Sequence, residues 1–176
     1  MEMIENNIDN LIYTYKHRKV VMYLAEYYFN NDELIEQIRS HDMDKMLLML
    51  FYNKKDIKKF HNKMASHHDN EREKTKLDYI EMVLDWESAR YTKEDKPLNA
   101  YDTLIQYYPH LEKEIMPILE ELKIAYSTTE KDENVQRYVD TIKTPTLEDI
   151  RLELINYINE SIEKVKIKEK KKQSIG

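Results

Sequence analysis

The chain has 176 residues, with 28 Lys and Arg against 34 Asp and Glu, one Gly, four Pro and no Cys. That length supports one domain with a sizeable core, the scarcity of Gly and Pro removes the turn punctuation of β architectures, and the absence of Cys excludes disulfides and thiolate metal sites. A net charge of −6 works against nucleic acid as the main partner, because phosphate binding needs concentrated Lys and Arg.

An all-α fold is therefore expected, and the pattern along the chain agrees. Ile4, Ile8, Leu11, Tyr15, His17, Val21, Leu24 and Tyr28 recur at helical spacing, which predicts one long amphipathic helix with His17 on its apolar stripe. Asn31 or Asp32 can cap a short helix through Leu34 and Ile38, and Ser40 can cap the next, beginning at His41 and carrying Met46, Leu47, Leu50 and Phe51 into the core. Ile57, Phe60, His61, Met64 and His68 predict a further helix with His61 and His68 flanking its buried side. LDYIEMVLDWESARY places Met82, Asp85, Trp86 and Ala89 on one face, so Asp85 points where apolar residues point. Pro97 and Pro109 bracket another helix, and Leu111, Ile115, Ile118 and Leu122 define one that Pro117 is placed to kink. Residues 127–145 read as a linker or irregular segment, being polar with few apolar anchors. Thr146 with Asp149 resembles a capping pair for a last helix through Leu147, Ile150, Leu154, Ile158 and Val165, followed by a lysine-rich end expected to be solvated and frayed.

Five of the six histidines lie between residues 17 and 68. Read alone, His41-Asp42 is an ordinary helix first turn, with Asp42 complementing the positive dipole end. Several histidines beside apolar stripes, converging on a buried Asp, are harder to explain that way, since unpaired they cost free energy on desolvation. Imidazole and carboxylate together are the ligand set for Mn, Fe, Co, Ni, Zn or Mg. The order His17, His41-Asp42, His61, His67-His68, Asp85, distributed over separate helices, is what a bundle needs to close one or two divalent ions into its core.

These residues resemble the HD-domain metal-dependent phosphohydrolases, in which a His, a His-Asp pair and a late Asp hold a divalent metal. More closely, the chain is similar to a bacterial and phage branch of unknown function with the motifs HKxxV, HDxSK, Hx5HH and EMxxDW. Here they stand as HRKVV from His17, HDMDK from His41, HNKMASHH from His61 and EMVLDW from Glu81, and the likeness covers roughly residues 10–125. Arg18 replaces the usual Lys, Asp44 the Ser, Ala65-Ser66 an Asn-Pro pair and Asp69 a Trp; these departures fall on the substrate side rather than on the ligands.

The resemblance implies a helical bundle of HD type over residues 1–126, with residues 146–176 as an added C-terminal helix and basic tail. It implies one metal on His17, His41, Asp42 and Asp85, with Asp42 bridging to a second on His61 and His67 or His68. The ions would activate water for attack on a phosphorus atom and stabilise the developing charge. It further implies Lys45 and Arg18 as contacts to the phosphate of a nucleotide or other small phosphoester, and Glu81 as a group orienting a ligand His. Residues such as Lys45 and Arg18 are more often solvated charges and Trp86 more often core, while Glu81 reads equally as a surface acid.

A different class of function is a helical binding or regulatory module without turnover, because a fold can outlive its chemistry. The basic run from Lys164 to Lys172 offers a third reading, an acidic surface or nucleic acid. MEMIENNIDN lacks the basic start and apolar stretch of a signal peptide, and no apolar run approaches the roughly 18 residues that span a bilayer, so a cytoplasmic protein is expected. With 14 Tyr, some of them exposed, the surface leaves room for a homodimer.

Overall fold

The computed structural model describes residues 2–175 and is all-helical, with no strand among them. The helices are α1 (Glu2–Tyr28), α2 (Asp32–Ile38), α3 (Met43–Leu48), α4 (Lys54–Met64), α5 (Lys76–Thr92), α6 (Ala100–Tyr107), α7 (Glu112–Glu121), α8 (Glu133–Thr141) and α9 (Leu147–Ile175), with a 3-10 turn over Pro109–Leu111. Side-chain caps define most starts. Asn31, Asn53, Asn99 and Asp132 accept from backbone N–H groups in the first turns of α2, α4, α6 and α8. Thr75 with Asp78 forms a reciprocal capping box for α5, and Thr146 with Asp149 does so for α9, as the sequence predicts. No described helix is long and apolar enough to cross a membrane.

Two apolar cores share α1. The larger joins Val20, Val21 and Leu24 of α1 to Leu34 and Ile38 of α2, Met82, Val83 and Leu84 of α5, and Ile115, Ile118 and Leu119 of α7. The smaller joins Leu11 of α1 to Met43 and Met46 of α3, Ile57 of α4, and Ile150 and Leu154 of α9. His17 lies between Leu11 and Val20 on the same helix, so the junction of the two cores is polar. The first buried residue of α1 is Asn7, next to the partly buried Ile8 of the apolar pattern, and its amide donates to the carbonyls of Met49 and Tyr52 beyond the end of α3. That satisfies two carbonyls that a helix end leaves open.

Several sequence expectations are corrected. Ser40 does not cap α3; its hydroxyl donates to the Gln37 carbonyl, and α3 starts two residues later than His41, at Met43. α3 ends at Leu48, so Phe51 falls outside it and is 67% exposed. α4 ends at Met64, which leaves His68 in the following turn, and Phe60 and Met64 face solvent. The lysine-rich end is solvated but helical to Ile175.

The segment 127–145, expected as a linker, holds α8. Val135 is fully buried in the larger core, Tyr138 stacks on Tyr23 with ring centroids 4.2 Å apart, and the Asp132 N–H donates to the Tyr91 hydroxyl. Truncation Val135→Ala removes two buried methyl groups and is expected to lower stability by about 2 kcal/mol, transfer and cavity terms together. Urea denaturation measures this; a loss within error of zero would mean that α8 is not docked.

Candidate metal centre

The His-Asp pair owes its geometry to one backbone choice. Asp42 adopts the left-handed conformation (φ 57°, ψ 11°), which costs a non-Gly residue roughly 1–2 kcal/mol and is best tolerated by Asn and Asp. Successive side chains on a regular helix diverge by about 100°; the left-handed residue breaks that progression and lets both His41 and Asp42 turn inward, 2% and 4% exposed. Although Asp42 occupies the N-cap position of α3, its carboxylate caps nothing.

Arg18 fixes the same turn. Its Nε donates to the His41 carbonyl at 2.7 Å, Nη2 to the Arg39 carbonyl at 2.6 Å, and Nη1 bonds Glu153 of α9 at 3.1 Å. The guanidinium is thus committed to two backbone carbonyls and Glu153, and Arg18 is not among the residues that line the cavity described below.

Two groups of ligand atoms meet at Asp42. On one side, His17 Nε2 lies 2.7 Å from Asp85 Oδ1 and 3.2 Å from His41 Nε2, and His41 Nε2 lies 3.3 Å from Asp85 Oδ1. Asp42 Oδ2 stands 3.7 Å and 3.9 Å from the His41 and His17 nitrogens. On the other side, Asp42 Oδ1 lies 2.8 Å from His61 Nε2 and 3.3 Å from His67 Nε2. His68 closes this second group with His61 and His67, while His17, His41, Asp42 and Asp85 form the first.

The inward nitrogens of His17, His41, His61 and His67 are each backed by an acceptor on the opposite ring edge. His41 Nδ1 donates to Glu81 Oε1 at 2.8 Å, and His67 Nδ1 lies 3.1 Å from the same oxygen. His61 Nδ1 donates to Asp44 Oδ2 at 3.0 Å. His17 Nδ1 donates to Ser88 Oγ at 3.2 Å, whose own hydrogen goes to the Asp85 carbonyl. Once a bound ion displaces the inner ring protons, protons held at Nδ1 would leave the Nε2 lone pairs facing it, the arrangement by which outer partners orient metal-binding imidazoles.

The donor set fits divalent ions. Ligand bonds of about 2.0–2.2 Å place neighbouring ligand atoms roughly 2.8–3.6 Å apart, close to the spacings of both groups. Moreover, Asp42 Oδ1, His61 Nε2 and His67 Nε2 are buried without a hydrogen-bond partner. They lie close yet misaligned for hydrogen bonding to each other. Orphaned buried polar atoms are rare, and three at one point have a simple resolution in a shared cation.

Protons hold the cluster together when no ion does. Burial works against charge at His41 and His61, but Asp42 and its neighbouring carboxylates outweigh it; His41 is held well above its ordinary value and His61 is pushed up to about 9. Asp42, for which burial is likewise overcome by the charge on His41, is held well below the usual carboxylate range, and Glu81 is drawn down to about 2 by His41 and His67. Burial and the neighbouring His67 push His68 down to about 4, so it is neutral at pH 7.

These directions set a pH dependence. The raised His61 stabilises the metal-free protein fully below 6.5 and loses that contribution as pH rises through about 9. The depressed Glu81 contributes above 4.5 and loses it as pH falls through about 2. The metal-free protein is therefore expected to be most stable between those limits, whereas ions must displace ring protons and bind more tightly as pH rises. The increment in Tm produced by added Mn or Ni should grow from pH 6.5 toward 9, the span of the His61 shift; an increment that shrinks over that range in thermal melts would exclude histidine ligation.

Sequence reading missed Asp44, Gln37 and Ser88. Gln37 Nε2 donates to Glu81 Oε2 at 2.6 Å and to Asp78 Oδ1 at 3.0 Å, holding the carboxylate that serves two rings. Ser88 is within reach of the sequence, since it follows Asp85 by three residues on the same helix face. Asp44 and Gln37 are brought in by tertiary packing and carry no local signal.

A cavity of about 1040 Å³ opens over the cluster. His17, Asp42, His61, His68 and Asp85 reach it from below; Lys45, Lys54, Lys58, Lys93 and Lys96 line it, with Trp86, Tyr13 and Tyr108. Trp86, partly buried, stacks on Tyr108 at 4.7 Å, and Lys93 sits 4.5 Å above the Tyr13 ring. Lys45 Nζ is 3.8 Å from Asp42 Oδ2. Burial, then Lys96, Lys45 and Lys54, push the Lys93 ammonium down, as expected where cations crowd one opening. Compared with models of known protein families, with curated proteins and with solved structures, the chain gives no match.

Proposed function

We propose that this chain is a metal-dependent phosphohydrolase of HD type, acting on a nucleotide or another small phosphoester. The observation that carries the reading is Asp42, a buried carboxylate whose two oxygens face two separate histidine groups on the floor of a lysine-lined cavity. His17, His41, Asp42 and Asp85 would hold one ion, and Asp42, His61, His67 and His68 a second. Divalent ions so held supply Lewis acidity to a phosphoryl oxygen and acidify water at neutral pH.

The chain's own residues do the remaining work. Asp42 keeps both ligand groups in fixed register, because one carboxylate belongs to each. Glu81, Asp44 and Ser88 hold ring protons away from the reacting side. His68, neutral at pH 7, offers its ring without first losing a proton. Lys45, beside Asp42, and Lys93, over Tyr13, meet the charge of an incoming phosphate in a partly desolvated opening, where each contact is stronger than in water. The same cations explain how a chain of net negative charge can admit an anion at this one place.

The test is phosphate release from a panel of nucleotides, phosphomonoesters and phosphodiesters by protein loaded with Mn, Fe, Co, Ni, Zn or Mg, with metal content read by plasma mass spectrometry on the same sample. Turnover that requires the ion is the expected outcome. Bound metal without turnover on any ester would replace the enzyme with a binding module, and no bound metal would remove the phosphohydrolase and leave the binding module.

A further inference from the structure

We propose that two copies of this chain pair antiparallel through α9. Ile150 and Leu154 of that helix dock it onto the smaller core, but its neighbouring face is open: Ile155, Ile158, Ile162 and Val165 are 37%, 39%, 47% and 56% exposed. From Ile162 to Ile175 every residue is exposed, and apart from an ion pair between Lys164 and Glu36 of α2 at 3.1 Å the last 14 residues, about 21 Å of helix, extend beyond the body. A helix that short is marginal in water without a packed face.

The occupant of that face is specified by its own sequence. Arg151, Ile155, Ile158, Ile162, Val165 and Glu169 follow one another at steps of four, three, four, three and four. This is the seam spacing of a coiled coil, and it reads the same in both directions. About a two-fold axis near residue 160, Ile155 meets Val165 of the second copy, Ile158 meets Ile162, and Arg151 meets Glu169. The flanking charge has the same polarity. Residues 147–163 carry five acidic side chains and one basic, whereas residues 164–175 carry six lysines and one glutamate. Antiparallel pairing sets the acidic half against the lysine half at both ends, while a parallel pair sets like against like along its length. The lysine-rich end is thereby matched to a partner already encoded in the chain.

Sedimentation equilibrium of the full-length protein over micromolar to near-millimolar concentrations is the test. The mass is expected to rise from 21.5 kDa toward twice that value. Ile158→Glu combined with Ile162→Glu, both at exposed positions, should leave the thermal midpoint of the body unchanged and the protein monomeric. Arg151→Glu and Glu169→Arg should each weaken association about tenfold, and the double exchange should restore it. Within one copy these residues are about 27 Å apart, so restoration reports a contact between copies. A wild type that stays monomeric overturns the proposal, as does a dimer that survives the paired Glu substitutions. Failure of the exchange to restore association overturns the antiparallel register. Monomeric protein that co-sediments with phosphatidylserine vesicles would assign the face to a lipid surface instead.

Discussion

Asp42→Asn is expected to release metal from both ligand groups at once. Asn has nearly the same volume and tolerates the left-handed backbone of position 42, so the chain should still fold. The amide keeps one oxygen but turns an NH2 group, and no charge, toward one of the two histidine sets. Metal content should fall from about two equivalents to a small fraction of one, and ester hydrolysis by on the order of 10³-fold or more, as when one member of a catalytic unit is lost. Stability gained from saturating metal, about 4 kcal/mol at a thousandfold excess over Kd, should vanish with it. Plasma mass spectrometry and paired melts with and without Mn read the two effects separately. If the variant retains both ions, Asp42 does not bridge, and the two groups bind independently.

The second large effect belongs to Glu81, which contacts neither cavity nor substrate. Its carboxylate is the acceptor for His41 Nδ1 and lies within reach of His67 Nδ1, all three groups being almost fully buried. Glu81→Ala leaves two inward-facing rings without their counter-charge. Breaking one side of a buried ion pair costs about 3–5 kcal/mol, and loss of an orienting partner about 10–100-fold in metal affinity. Glu81→Gln should fall between, because its oxygen can still accept from one ring. Urea denaturation of metal-free protein gives the first quantity and competition with a chelator the second; an Ala variant as stable as wild type would show that the rings are oriented by something else.

Legibility in the sequence follows from where its signals are local. The repeating apolar positions of α1 and α5 are long enough to define a face, so the pattern alone turns His17 and Asp85 inward. The Thr146–Asp149 cap is legible because its geometry is contained in four residues. By contrast, α8 has two aliphatic anchors, Val135 and Val139, in nine residues, too few for a period to show; burial on α1 and α5 decides that it forms. The helical C-terminal end rests on the propensity of Lys and Glu, a weak prior beside its polarity. The expectation of a helix start at His41 fails for a different reason. The turn is imposed by Arg18 and Asp42, one through contacts from another helix and the other through a conformation that propensity disfavours.

The left-handed residues of the described chain are Asn30, Asp42 and Lys123. Glycine would occupy any of them without a steric penalty, yet the sequence holds a single Gly, at its last position. At position 42, then, Asp42→Gly would relax the backbone by roughly 1–2 kcal/mol while deleting the carboxylate that balances His41 and His61. Since breaking one side of a buried ion pair costs about 3–5 kcal/mol, a library of variants sorted only for thermal resistance in a chelating buffer should keep Asp at this position despite its strained backbone.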